Sequence, residues 1–113
     1  MKSIAYYRRK ADKAIQGWGK RTYKLCLVCG QPMSCLHHYF PKSTSTNLRY
    51  NPDNLIPICQ SCHFKHHNGD PRIQNAINGK IGKSRINYLL KEKNKLQKVG
   101  KKFYQDIIEK YGR

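Results

Sequence analysis

Two Cys-x-x-Cys pairs, Cys26-Leu-Val-Cys29 and Cys59-Gln-Ser-Cys62, bracket a His37-His38 doublet. His63 follows the second pair at once, and His67 lies four residues further on. Each pair is a short bite that holds one edge of a tetrahedron, so Cys26, Cys29, Cys59 and Cys62 can complete the shell of a structural Zn2+. The competing arrangement, two disulfides, belongs to exported chains. The N-terminus, Met1-Lys2-Ser3-Ile4, has no apolar signal core, which points to a reducing cytoplasm where paired cysteines take metal. Cys35 is the odd thiol and reads as a small packed hydrophobe.

The histidines are too many for that site. His63 and His67, four apart on a predicted helix, project from one face and can grip one ion. His37 and His38 are neighbours on a predicted strand and point to opposite sides. One of the two can join the helical pair while the other faces a substrate. Three histidines around a divalent cation with an open position can polarise a phosphate and steady a leaving oxygen. The remaining imidazole, with an ordinary pKa of about 6.5, can take a proton from water at neutral pH.

Short elements must carry these residues. Residues 3–16 predict a helix capped by Ser3 and ended by Gly17, with Ile4, Tyr7, Ala11, Ala14 and Ile15 on one face. A basic loop from Gly17 to Lys24 leads to the first knuckle, where Gly30 lets backbone amides turn toward the thiolates. Residues 36–40 read as extended, Pro41 to Asn47 as a polar connection, and 48–50 as a short strand. Asn51-Pro52-Asp53-Asn54 is a turn signal. The apolar run Leu55-Ile56-Pro57-Ile58 precedes a helix from Gln60 to about Asn68-Gly69. Asp70-Pro71 opens a short helix that Gly79 and Gly82 break. From Ser84 on, Ile86, Leu89, Leu90, Leu96, Val99, Phe103, Ile107 and Tyr111 form a helical stripe interrupted at Gly100. This stripe either packs on the rest of the domain or makes a homodimer through the C-terminal helices.

Composition narrows the partners. In 113 residues there are 23 basic and 6 acidic side chains, a formal charge of +17, and before residue 70 the only acids are Asp12 and Asp53. So basic a chain attracts polyanions and repels itself on folding. Its 38% hydrophobic content is thin for a domain this small, which argues for a metal staple. No segment pairs a basic face with a long apolar one, so a membrane partner is not expected.

The order His37-His38, Asn54, Cys-x-x-Cys, His63 and His67, with nine residues from Asn54 to His63, resembles the HNH endonuclease motif in its zinc-hook, ββα-metal form over roughly residues 26–69. The resemblance implies an α+β fold: a small zinc-stabilised ββα-metal core at 25–70, flanked by a basic N-terminal helix and loop at 1–24 and a C-terminal helical extension at 71–113, in one domain. It also implies roles. His38 would be the general base, and Asn54 would hydrogen-bond across the hairpin loop to hold it. His37, His63 and His67 would ligate a catalytic divalent cation (Mg2+, Mn2+, Ni2+ or Zn2+), with His66 the alternative to His67 and otherwise near the phosphate. Beyond this, His38-Tyr39, Asn47 to Asn51, Asp53-Asn54-Leu55 and Asn68-Gly69 are similar to the phage Rap/NinG recombination nucleases, which act on Holliday junctions and other branched DNA. The chain departs from that group in carrying His63 after the last cysteine and His37 before His38.

The expected activity is therefore metal-dependent hydrolysis of duplex or branched DNA, with Lys42, Arg49, Lys65 and His66 on flanking phosphates, in the cytoplasm of a cell or of a phage host. Two alternatives stand beside it. One is a nicking or site-specific HNH enzyme of packaging, homing or restriction, and the other is a non-catalytic zinc-knuckle module that binds nucleic acid.

Overall fold

The structure, a computed structural model, describes residues 2–112. Helix α1 spans Ile4–Thr22; strand β1 is Cys35–His38; a one-turn helix α2 is Thr46–Arg49. A 3-10 turn at Pro52–Asn54 leads into β2, Leu55–Ile58, then α3, Gln60–His67, α4, Pro71–Lys93, and α5, Lys101–Tyr111. This mixture of helices around a small two-stranded sheet is the α+β architecture expected.

The sheet is an antiparallel hairpin with Leu36 opposite Pro57 and His38 opposite Leu55. At the Leu36–Pro57 position neither residue donates across the pair, so proline fits without costing a ladder bond. Leu36 turns its N–H and C=O outward instead, and both are taken by the Gln16 side-chain amide of α1, at 2.9 and 3.0 Å. Alternation then splits the interior into two clusters. Leu36 and Leu55 face Ala11, Ile15, Tyr50, Tyr104 and Tyr111, whereas Ile56 and Ile58 face Cys26, Cys59, Cys62, Ile73 and Ile77.

Ser3 Oγ accepts from Tyr6 N–H and starts α1 as expected. The helix does not stop at Gly17; it runs to Thr22, so the basic loop begins later. Gly19 explains the extension. A Cβ there would come within 2.4 Å of the Leu36 side chain, so glycine lets α1 lie directly on the hairpin.

Two further expectations change. The segment 48–50 is not a strand: residues 46–49 form a helical turn, because Asn54 Nδ2 takes Leu48 O and no strand lies alongside. Gly79 does not end the helix that Asp70 caps and Pro71 opens. Only Gly82, at φ 84°, breaks its course. The C-terminal stripe is interrupted at Gly100 as expected, over a wider break. Helix α4 ends at Lys93 and Leu96 is wholly exposed, and Gly100 precedes a separate α5. Tyr104 and Tyr111 of α5 are buried against α1, and Arg21 Nη2 donates to Tyr111 O at 2.6 Å. Of the expected stripe, Leu89 and Tyr111 are buried within the chain, while Leu90, Leu96 and Val99 stay exposed. No helix among the described residues is long and apolar enough to cross a membrane.

Candidate nuclease and metal sites

The four paired cysteines converge. Cys26 and Cys29 come from the first knuckle and Cys59 and Cys62 from the start of α3, and their four sulphurs all lie within 4.8 Å of one another. Cys29 Sγ and Cys59 Sγ are 3.5 Å apart, near the edge of a tetrahedron with Zn–S bonds of about 2.3 Å. All four are free thiols, so the disulfide arrangement is absent among the described residues. Local structure prepares the cluster: Gly30 takes φ 78° to close the knuckle, and Cys59 Sγ, the cap of α3, accepts from Cys62 N–H. Burial raises the Cys26 thiol, but main-chain N–H groups around it outweigh that and bring it down to about 7. Cys62 is pushed up by burial and by the neighbouring sulphurs. Sulphurs this close share negative charge only with a cation among them, so the donor set fits a structural zinc ion.

The histidines gather elsewhere. A cleft of about 680 Å³ is lined by His37, His38, His63, His66 and His67, with Lys42 at its edge. His37 stands between two rows of α3, its ring 4.6 Å from that of His66 and 5.4 Å from that of His63. The rings of His63 and His67 are 4.6 Å apart. Burial, followed by the neighbouring imidazoles, holds His37 down to about 4 and lowers His63. His37 and His63 are therefore neutral at physiological pH, the form that ligates metal. Their donor atoms do not form a set of three as close as the cysteines among the described residues. A set of imidazole nitrogens without carboxylates suits a borderline divalent cation better than a hard one.

His66 and His67 differ in commitment. His66 Nε2 is 2.9 Å from Gln74 Oε1, whereas His67 lies exposed at the end of α3. Cys35 is not simply a packed hydrophobe. It is half-buried in the cleft wall with Sγ 3.6 Å from His63 Nδ1.

On the other face of β1, His38 Nε2 lies 2.9 Å from the Arg49 carbonyl oxygen. Burial lowers its pKa, the Arg49 carbonyl pulls the other way, and Lys42 and Arg49 add to the lowering. Asn54 is fully buried and saturated: Oδ1 accepts from Phe40 N–H at 2.8 Å, and Nδ2 donates to Phe40 O and Leu48 O, each at 3.1 Å. It thereby ties the chain just after His38 to the chain just before Arg49.

The expected phosphate contacts separate. Lys42 borders the histidine cleft, while Lys65 stands with Phe64 on the cysteine side. Arg49 is not a free cation: Asp12 grips it through both oxygens, at 2.9 and 2.6 Å. Asp12 and Gln16 were not anticipated as site residues. The available signal was Asp12 itself, an acid alone among Arg8, Arg9, Lys10 and Lys13.

Residues 26–69 match the HNH endonuclease family. Over 46 residues the chain is 41% identical to a mitochondrial DNA mismatch repair protein mutS homolog of Sarcophyton glaucum, covering 37% of this chain but 5% of that protein. It is 33% identical over 70 residues to anaredoxin of Nostoc sp., covering 60% of this chain and 86% of the relative. No solved structure matches the chain.

Proposed function

We propose that this chain, which carries an HNH endonuclease domain at residues 26–69 and belongs to one family with anaredoxin, is a metal-dependent endonuclease that hydrolyses phosphodiester bonds in DNA. The HNH match implies nucleic-acid binding; cleavage is the proposal. One observation carries it: His38 hydrogen-bonds the Arg49 carbonyl through Nε2 in a cleft shared with four more histidines. A carbonyl only accepts, so Nε2 holds the hydrogen and Nδ1 keeps a lone pair.

In this reading His38 Nδ1 removes a proton from water, which attacks phosphorus in line. His37, His63 and His67 would hold the catalytic cation, a choice supported by the engagement of His66 with Gln74. A bound divalent cation supplies charge stabilisation to a phosphate oxygen and to the departing 3′ oxygen. Asn54 keeps the His38 loop closed from its buried position. Lys42 is placed to hold a flanking phosphate, and the basic face of α1 extends the footprint, so binding weakens steeply with salt. DNA as substrate is consistent with the relative named for DNA mismatch repair. Phosphate contacts position rather than specify, which supports the narrower reading of selectivity for branched DNA, with nicking as its alternative.

The test uses the full, zinc-loaded chain on linear duplex, four-way junction, flap and single-stranded DNA with Mg2+, Mn2+, Ni2+ or Zn2+. Wild type is expected to cut, and His38→Ala to lose about 10²- to 10⁴-fold in rate while still binding DNA. A wild type that cuts none of these with any metal would leave a zinc-knuckle binding module. Equal rates on every substrate would remove branch selectivity alone.

A further inference from the structure

We infer that Asp12 of α1, outside the matched HNH segment, is a positioning residue for His38: it fixes the main-chain carbonyl that sets the tautomer of the imidazole. The inference rests on the reading of His38 as the base. Three consecutive residues carry it. Leu48 O is held by Asn54 Nδ2 at 3.1 Å. The Arg49 guanidinium is held by both Asp12 oxygens, at 2.9 and 2.6 Å, and the Tyr50 hydroxyl donates to Asp12 Oδ1 at 2.8 Å. Between these anchors the Arg49 carbonyl meets His38 Nε2 at 2.9 Å. Fastened on both sides, the carbonyl has little freedom to turn away, and the hydrogen stays on Nε2.

The helix that carries Asp12 is itself locked to the strand that carries His38. Gln16, one turn later on the same side of α1, pairs its amide with both main-chain groups of Leu36, two residues before His38. Gly19, in the following turn, allows the close approach to Leu36. Asp12 is thus held at a set distance from both ends of the His38–Arg49 hydrogen bond. Its charge fits this role better than DNA binding. A carboxylate among basic residues weakens attraction for phosphate, and it also withdraws Arg49 from the DNA surface.

The experiment compares full-length wild type, Asp12→Asn, Asp12→Glu and Tyr50→Phe, all zinc-loaded. Three readouts are needed: kcat and KM on labelled duplex, thermal melting, and the His38 tautomer from long-range 1H–15N NMR correlations. Asp12→Asn is expected to lose about 10- to 100-fold in kcat with KM unchanged and the protein folded at the assay temperature, while His38 shifts from pure Nε2–H to a mixture of tautomers. Asp12→Glu should recover part of the rate. Should Asp12→Asn fail to fold, Tyr50→Phe removes a single bond to the same carboxylate and should give a smaller change of the same kind. Unchanged kcat, or a loss that tracks only the folded fraction with His38 still pure Nε2–H, would overturn the inference. A wild type that cuts no DNA would overturn the nuclease reading instead, and the NMR comparison would still decide whether Asp12 sets the tautomer.

Discussion

On one face of the hairpin, Ile56, Ile58, Ile73 and Ile77 pack around four thiols that converge to within 4.8 Å. On the other, Leu36 and Leu55 pack against Ala11, Ile15, Tyr104 and Tyr111. The first cluster joins the knuckle loop and the short β2 and α3 to Ile73 and Ile77 of α4, and a bound ion would add a staple that so small a domain needs. The second is built from two helices that bury a shared face, and it holds by ordinary packing. The site lies across this divide. His37 looks toward α3 on the metal side, and His38 looks toward Arg49 and α1 on the packed side. One strand therefore presents the proposed cation ligand, His37, and the proposed base, His38, from two differently stabilised halves.

Removing the metal should break this contrast most severely. Chelation of the purified protein, or Cys62→Ser, is expected to abolish the cooperative thermal transition, since structural zinc contributes on the order of 10 kcal/mol to such folds. A chelated protein that melts like the loaded one would mean that the thiol side also holds by packing alone. A smaller effect is expected on the packed side. Ile15→Ala, at a fully buried position, should cost about 2–5 kcal/mol in denaturant unfolding and leave zinc stoichiometry unchanged. Loss of bound zinc in that variant would show that the two halves do not behave separately.

The smallest effect concerns pH. Burial alone would raise the Asp12 carboxyl, yet hydrogen bonds from Arg49 and Tyr50 outweigh it and hold its pKa below 3.8. A depressed carboxylate stabilises the fold above its unfolded pKa, and that stability drains away as pH falls through the folded value. Unfolding midpoints should therefore drop as pH falls below about 4, and drop less in Asp12→Asn. Identical acid profiles for the two proteins would remove Asp12 from the stabilisation of the packed side.

The metal side was the more legible half. Cys-x-x-Cys spacing fixes a bite within a single turn of chain, so Cys26, Cys29, Cys59 and Cys62 could be grouped before any fold was known. The start of α3 was equally local, set by Cys59 and ended at Gly69, which takes φ 81°. The packed side was less legible because its decisive contacts span long separations. Gly17 read as a helix end, yet the helix passes through it and on through Gly19, against which Leu36 lies. Residues 48–50 read as a strand by composition, yet Asn54 pulls Leu48 into a turn. Arg49 read as a phosphate contact, and a carboxylate 37 residues earlier in sequence captured it.

By itself, then, the sequence determined the thiol cluster and the attraction to polyanions, which follow from local spacing and summed charge, while the α+β class was what the resemblance to the HNH motif implied. Tertiary structure alone decided that α1 runs on over the hairpin, that Cys35 borders the histidine cleft, and that Asp12 reaches Arg49 behind His38. Those outcomes depend on which distant surfaces meet, and local periodicity carries no record of that meeting.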